Sequence, residues 1–140
     1  MNNMISERRR QEDGRKKWPE ALADIEADEA KAKARAEKYD RPINPVQAVS
    51  FQSRRCTEAN RHHMYELSLE NCAAFVERYR GDDSEAVKQF VHIVWYYRIL
   101  DLMALGRFED ARKMGEQAKK AIPDFEYADT VKSMSSTWPR

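Results

Sequence analysis

Apolar residues are unevenly spread along this chain, and their spacing predicts where its helices lie. Between Ser84 and Gly106, the residues Val87, Phe90, Val91, Val94, Trp95, Ile99, Leu102 and Leu105 share one helical face. Ile93, Tyr96, Tyr97, Leu100 and Met103 cover most of the rest. A helix that is apolar nearly all round must be buried, so this segment is expected to be the central helix. The next segment, Phe108 to Ile122, keeps Phe108, Ala111, Met114, Gly115, Ala118 and Ile122 on one face and reads as amphipathic. Gly106 separates the two segments and Pro123 stops the second, which makes an αα-hairpin.

Upstream, Val46, Val49, Cys56, Met64, Leu67, Cys72, Phe75, Val76 and Tyr79 form a discontinuous stripe with no helix breaker between Val46 and Arg80. It reads as two helices with a kink near Asn60 to His63, or as one long bent helix. Gly81 suits its C-terminal cap and Ser84 the N-cap of the apolar helix. The segment DRPINP is the clearest break, with Asn44 placed to cap a helix that has Pro45 at its first position. Before it, Trp18 and Pro19 are expected to open a helix that is acidic at first (Glu20, Asp24, Glu26, Asp28, Glu29) and then basic (Lys31, Lys33, Arg35, Lys38), an order that complements the helix dipole. With only Leu22, Ile25 and Tyr39 as large apolar residues, this helix should be mostly solvated, projecting or packing loosely through one narrow alanine-rich edge. Residues 1–17 lack apolar periodicity and are expected to be a flexible basic arm. At the other end, Asp124 can cap a last short helix over 125–134, and the tail is polar except for Trp138. The expectation is an all-α bundle of five to six helices: residues 1–17 an arm, 18–41 a charged helix, and 42–140 the core domain.

Composition agrees. Among 140 residues, 35% are charged and only four are glycine and five proline, as in a single helical domain. The net charge of +1 gives no global field toward nucleic acid or an anionic membrane. No apolar run approaches the roughly 20 residues of a membrane span. The N-terminus has no apolar stretch of a secretory signal, and Glu7, Glu12 and Asp13 argue against a mitochondrial one. Cys56 and Cys72 form no C-x-x-C pair, so a cytoplasmic protein with reduced thiols is the simplest expectation.

The stretch His92 to Phe125 resembles a single tetratricopeptide repeat, a 34-residue helix–turn–helix unit. Trp95 falls on the family's aromatic of the first helix, Gly106 and Phe108 on its turn glycine and following aromatic, Ala111 and Ala118 on its small packing positions, and Pro123 on its terminal proline. Ile99 departs from the family's small residue and Gly115 from an aromatic. No second copy precedes the unit, and 15 residues follow it. The resemblance implies protein binding without chemistry. The order of elements is also similar to that of some small terminase subunits of tailed phages.

Catalytic constellations are absent from this reading. Gly14, Gly81, Gly106 and Gly115 do not cluster into a phosphate-cradling loop. His62 and Glu66 are an i,i+4 pair, and Cys56 and His63 share a face, yet zinc needs three or four convergent ligands. Cys72 lies on an apolar stripe, which predicts an inert thiol rather than a nucleophile. His92 reads as a hydrogen-bonded core histidine. No cofactor or metal is expected.

What remains is charge. Arg8, Arg9, Arg10, Arg15, Lys16 and Lys17, with Trp18 at their end, are the one dense basic cluster, and Arg54 and Arg55 with Arg61 form a sparser one. The expected function is that of a non-enzymatic interaction module: an adaptor, assembly subunit or inhibitor of a larger complex, of the kind phages and mobile elements encode. The alternative is a nucleic-acid-associated subunit, such as a small-terminase-like packaging protein, using the basic arm. A protein partner is expected, a membrane is not, and the aromatic surplus of Trp95, Tyr96 and Tyr97 leaves room for homo-oligomers.

Overall fold

Six helices form, and the local signals for most of them are visible in the backbone. The computed structural model describes residues 2–140, with side chains from Ser6 onward. In chain order the helices are α1 (Asn2–Lys38), α2 (Pro45–Arg61), α3 (Tyr65–Arg78), α4 (Glu85–Ala104), α5 (Phe108–Ala121) and α6 (Ala128–Ser135), and no strand occurs among the described residues. The Asn44 side chain accepts from the amides of Val46 and Gln47, with Pro45 at the first position of α2. The Ser84 hydroxyl accepts from Val87 N–H at the start of α4. The expected all-α bundle is therefore what these residues build.

The long middle segment resolves into two helices, α2 and α3, joined by a turn at His62–Met64. Three helix ends share one closing geometry. At the end of α4, Gly106 N–H donates to the Met103 carbonyl and Arg107 N–H to Leu102. At α2, His63 and Met64 donate to Asn60 and Ala59 in the same pattern, and at α1, Asp40 and Arg41 donate to Glu37 and Ala36. Each motif needs a left-handed residue. Gly106 (φ 74°) is made for that position, whereas His63 (φ 58°) and Asp40 (φ 49°) occupy it as ordinary L-residues.

Helix α4 lies at the centre, packed against α2, α3 and α5. Its apolar surround is used on two sides. Val87 and Val94 join Cys56, Cys72 and Phe75 in one core cluster, while Trp95, Ile99 and Leu102 join Ala111, Ala118, Phe125, Val131 and Trp138 in another. Cys56 and Cys72 are not reduced thiols: a disulfide joins them and ties α2 to α3 inside the first cluster. Facing positions on two packed helices, rather than any sequence motif, bring them together.

The second cluster closes with the tail. Trp138 is buried, and the Arg112 guanidinium lies over its ring and donates to the Trp138 and Pro139 carbonyls. A Cβ added at Gly115 would sit 3.3 Å from Val131 Cγ1, so α6 occupies the space a larger side chain there would take. Asp124 does not cap the last helix, which starts later, at Ala128. The chain before it is fixed instead by His92, whose Nδ1 accepts from Glu126 N–H at 3.0 Å.

Helix α1 departs most from expectation. The arm expected at residues 1–17 is helical from Asn2 onward and continuous with the charged helix, so that Pro19 lies inside α1 rather than in its first turn. Met1 of that arm lies outside the described residues. The helix is not loosely packed either. Gly14, Trp18, Ile25 and Ala32 are buried, and Glu7, Gln11, Leu22, Glu29 and Ala36 half-buried, along one line with spacings of three and four residues. This line rests on α2, where Ile25 and Ala32 meet Phe51 and Ile43. A narrow packing edge was expected on the charged helix, but its run back to Glu7 went unread, because six of these nine positions are Glu, Gln, Gly or Ala.

Candidate interaction surface on the first helix

Helices α1 and α2 run antiparallel. Arg54 pairs with Asp28 at 2.9 Å, and Arg55 pairs with Glu29. The Arg55 hydrogen bond is the main reason the Glu29 carboxyl is held below its ordinary range. These two arginines, expected as part of a basic patch, are thus occupied in seating α1. Farther along, Gly14 lies directly on the end of α2. A Cβ there would stand 1.6 Å from the His62 carbonyl oxygen, so only glycine permits the approach. The residues before Gly14 run past α2 for about 18 Å, at about 1.5 Å per residue.

That extension is anchored at one point. Glu7 meets His63 Nδ1 at 3.2 Å, and the Tyr65 hydroxyl lies 2.6 Å from the same nitrogen. Partial burial works to raise the Glu7 pKa, but hydrogen bonds from His63, Tyr65 and Arg10 outweigh it and hold it below the ordinary value. Burial and the Glu7 charge push the Tyr65 phenol up to about 12. His63 makes this contact from a left-handed backbone position, φ 58°.

The six cations of the cluster all remain exposed. In a helix, residues seven apart share an azimuth, so they fall into three lines: Arg8 with Arg15, Arg9 with Lys16, and Arg10 with Lys17. These lines cover the circumference of α1 except for its seam. Arg10 is partly engaged by Glu7 at 3.3 Å. Trp18 leaves the set, because it falls on the seam and is buried. The result is a helix end with cations on every outward side, interrupted by the exposed carboxylates of Glu12 and Asp13.

Elsewhere the side chains do not converge on chemistry. Among the described residues no three His, Cys, Asp or Glu are placed to hold a metal ion. His62 turns to Glu58 at 3.6 Å rather than to Glu66. Cys72 is fully buried and disulfide-bonded, so it is no nucleophile. Sequence reasoning missed Asp101, which is fully buried on α4. Its Oδ1 accepts from Asn60 Nδ2 at 2.7 Å, while Oδ2 has no hydrogen-bond partner among the described residues. Burial drives its pKa up to about 6. A polar residue at a buried position of an apolar helix was the signal available. A cavity of about 770 Å³ lies beside this region, between Gln11 and Arg15 of α1 and Tyr65, Glu66, Leu105 and Arg107. Its wall carries both charge signs, so it selects no one ligand class.

The molecule is thus an all-α domain that presents a long basic helix end beside a disulfide-tied core. No helix among the described residues is long and apolar enough to cross a membrane. No family model, curated protein or solved structure matches the chain.

Proposed function

We propose that this protein is a non-enzymatic interaction module that docks onto an acidic face of a protein partner through the basic end of α1. The observation that carries this reading is the cluster of Arg8, Arg9, Arg15, Lys16 and Lys17, which is exposed while Arg54 and Arg55 are engaged. Anchoring at Gly14 and Glu7 pre-forms the helix, so less ordering entropy opposes binding than a flexible arm would lose. The role is that of an adaptor, assembly subunit or inhibitor of a larger complex, in keeping with a phage or mobile-element accessory protein. In this reading the tetratricopeptide-like hairpin of α4 and α5 is a packing unit, since its small residues Ala111 and Ala118 are buried. A cytoplasmic location stays part of the proposal, but without the support reduced thiols would have lent it.

The same cations favour one second reading, a nucleic-acid-associated subunit. Recovery of partners from the native cell, with and without nuclease, separates the two. A protein partner that survives nuclease, and is lost when Arg8, Arg9, Lys16 and Lys17 are changed to Glu, supports the first. Capture that disappears with nuclease supports the second, and binding should then fall log-linearly with salt, with a slope of about −0.9 per phosphate contact. Recovery of the protein alone overturns both.

A further inference from the structure

We propose that the outward face of α1 pairs with a second copy of this chain running antiparallel to it. The inner face of α1 rests on α2, and apart from the Tyr65 side chain near Glu7 no other helix packs on α1 among the described residues. On the outer face Asp24 and Lys31 lie along one flank, and Glu26 and Lys33 along the other, all exposed. Each flank therefore carries one carboxylate and one ammonium two turns apart. Among the described residues none of the four is in a salt bridge.

This order of charge is complementary to itself. With a two-fold axis between Asp28 and Glu29, Asp24 faces Lys31 of the second copy on one flank, and Glu26 faces Lys33 of the second copy on the other. Symmetry repeats both pairs, so four opposite-charge pairs form and no like-charge pair falls among them. A parallel arrangement would match Glu26 with Lys31 but set Lys33 against Lys38. Residues flanking a helix–helix seam fix partner and orientation in this way. The charge pattern thus specifies both the occupant, another copy of this chain, and its direction.

The line between the flanks permits close approach. It holds Ala23, Ala27, Ala30 and Ala34, all exposed, and in the antiparallel register Ala23 meets Ala34 and Ala27 meets Ala30. Such small residues allow axes to approach to about 8 Å. The contact is short, about 17 Å along the helix. Beyond it Glu20 would face Glu37 and Lys17 would approach Lys38, which confines the pairing to these layers. The dimer is accordingly weak, isologous and closed. It uses a different stretch of α1 from the basic end, so it stands apart from the proposed partner site.

Sedimentation equilibrium of the full chain, from micromolar to millimolar, should show a monomer–dimer equilibrium. Two variants test its cause. One carries Asp24→Lys with Glu26→Lys, the other Lys31→Glu with Lys33→Glu. Each should dimerise about tenfold more weakly or worse, because four opposite-charge pairs become four like-charge pairs. Mixing the two should restore a heterodimer, and reversing all four charges in one chain should restore the homodimer. Circular dichroism should remain helical, because every substituted position is exposed. A wild-type chain that stays monomeric at millimolar concentration overturns the proposal. So does undiminished dimerisation of both variants, or failure of both the mixture and the fourfold reversal to associate.

Discussion

Helices α1 and α4 are the two longest in the molecule, at 37 and 20 residues, and they are held in opposite ways. Helix α4 is apolar on nearly every side and is placed by hydrophobic burial, which stabilises by roughly 25 cal/mol per Å² of apolar surface removed from water. Helix α1 is polar on nearly every side and buries little beyond Trp18, Ile25 and Ala32. Of its pairs to α2, Arg55–Glu29 is half-buried and Arg54–Asp28 exposed, and an exposed pair contributes about 0–1 kcal/mol. What seats α1 is shape: a glycine that lets two backbones touch, and a narrow seam. A helix placed by area tolerates many substitutions, whereas a helix placed by one close approach depends on one residue.

The comparison breaks first in the core. Phe75 is buried among Cys72, Val87 and Val94, and Phe75→Ala should cost about 3–5 kcal/mol of global stability in a denaturant titration. The disulfide sits in the same cluster. Its sequence separation is 16 residues, and closing such a loop stabilises by about 3 kcal/mol. Unfolding with reductant should therefore show a clearly lower midpoint than without it. Equal midpoints would mean the thiols are not joined.

On α1 the sharpest test is Gly14→Ala. The new Cβ cannot coexist with the His62 carbonyl, so the first half of α1 should leave α2 and take Glu7 from His63. The expected cost is about 2 kcal/mol, within the range of a single strained packing site. The loss should be local: tryptic cleavage between Arg8 and Lys17 should accelerate while the core transition survives. If the core unfolds with it, α1 is no separate element and the contrast with α4 fails.

These two regions also divide what the sequence makes legible. The central place of α4, the hairpin with α5, and the caps at Asn44 and Ser84 follow from period, glycine and capping chemistry, which are local. The seam of α1 does not, because Glu7, Gln11 and Gly14 carry no hydrophobic signal and their role depends on what α2 places opposite them. Pro19 added a false boundary. The Cys56–Cys72 pair depends on the register between α2 and α3, and Asp101 on its distance from Asn60. Of the candidate site, the exposed cations could be found as a cluster, but the removal of Arg54, Arg55 and Trp18 from it could not.

Asp101 sharpens the comparison from the core side, since among the described residues it is the fully buried charged group on a helix that should be apolar. Its pKa rises from 3.8 in the unfolded chain to about 6 when folded. The folded state therefore binds the proton more tightly, and stability falls as pH rises between about 4 and 6, then stays lower above that window. At 1.36 kcal/mol per unit the full penalty is at most about 3 kcal/mol. Asp101→Asn keeps an acceptor for Asn60 but leaves an amide to satisfy, so a gain of about 1–2 kcal/mol is expected at pH 7, with none at pH 4. Differencing variant against wild type cancels Glu7 and Glu29, whose lowered pKa values act in the opposite sense. A difference that does not change between pH 4 and 7 would remove Asp101 as the cause.

The smallest effect compares the two ends of α1. Asp40 closes its C-terminus in a left-handed conformation, is exposed, and forms no side-chain hydrogen bond among the described residues. Asp40→Gly should relieve that conformation and stabilise by about 0.5 kcal/mol, read as a slightly higher midpoint. His63 holds the same conformation at the end of α2, yet its ring receives Glu7 from the N-terminal part of α1. His63→Gly should therefore gain the same backbone relief and lose the anchor, leaving net stability unchanged or lower while protease access to Arg8–Lys17 rises. Two identical substitutions at two equivalent turns should thus part ways. If His63→Gly stabilises as Asp40→Gly does and leaves cleavage unchanged, the Glu7 contact holds nothing, and the basic end of α1 is anchored by Gly14 alone.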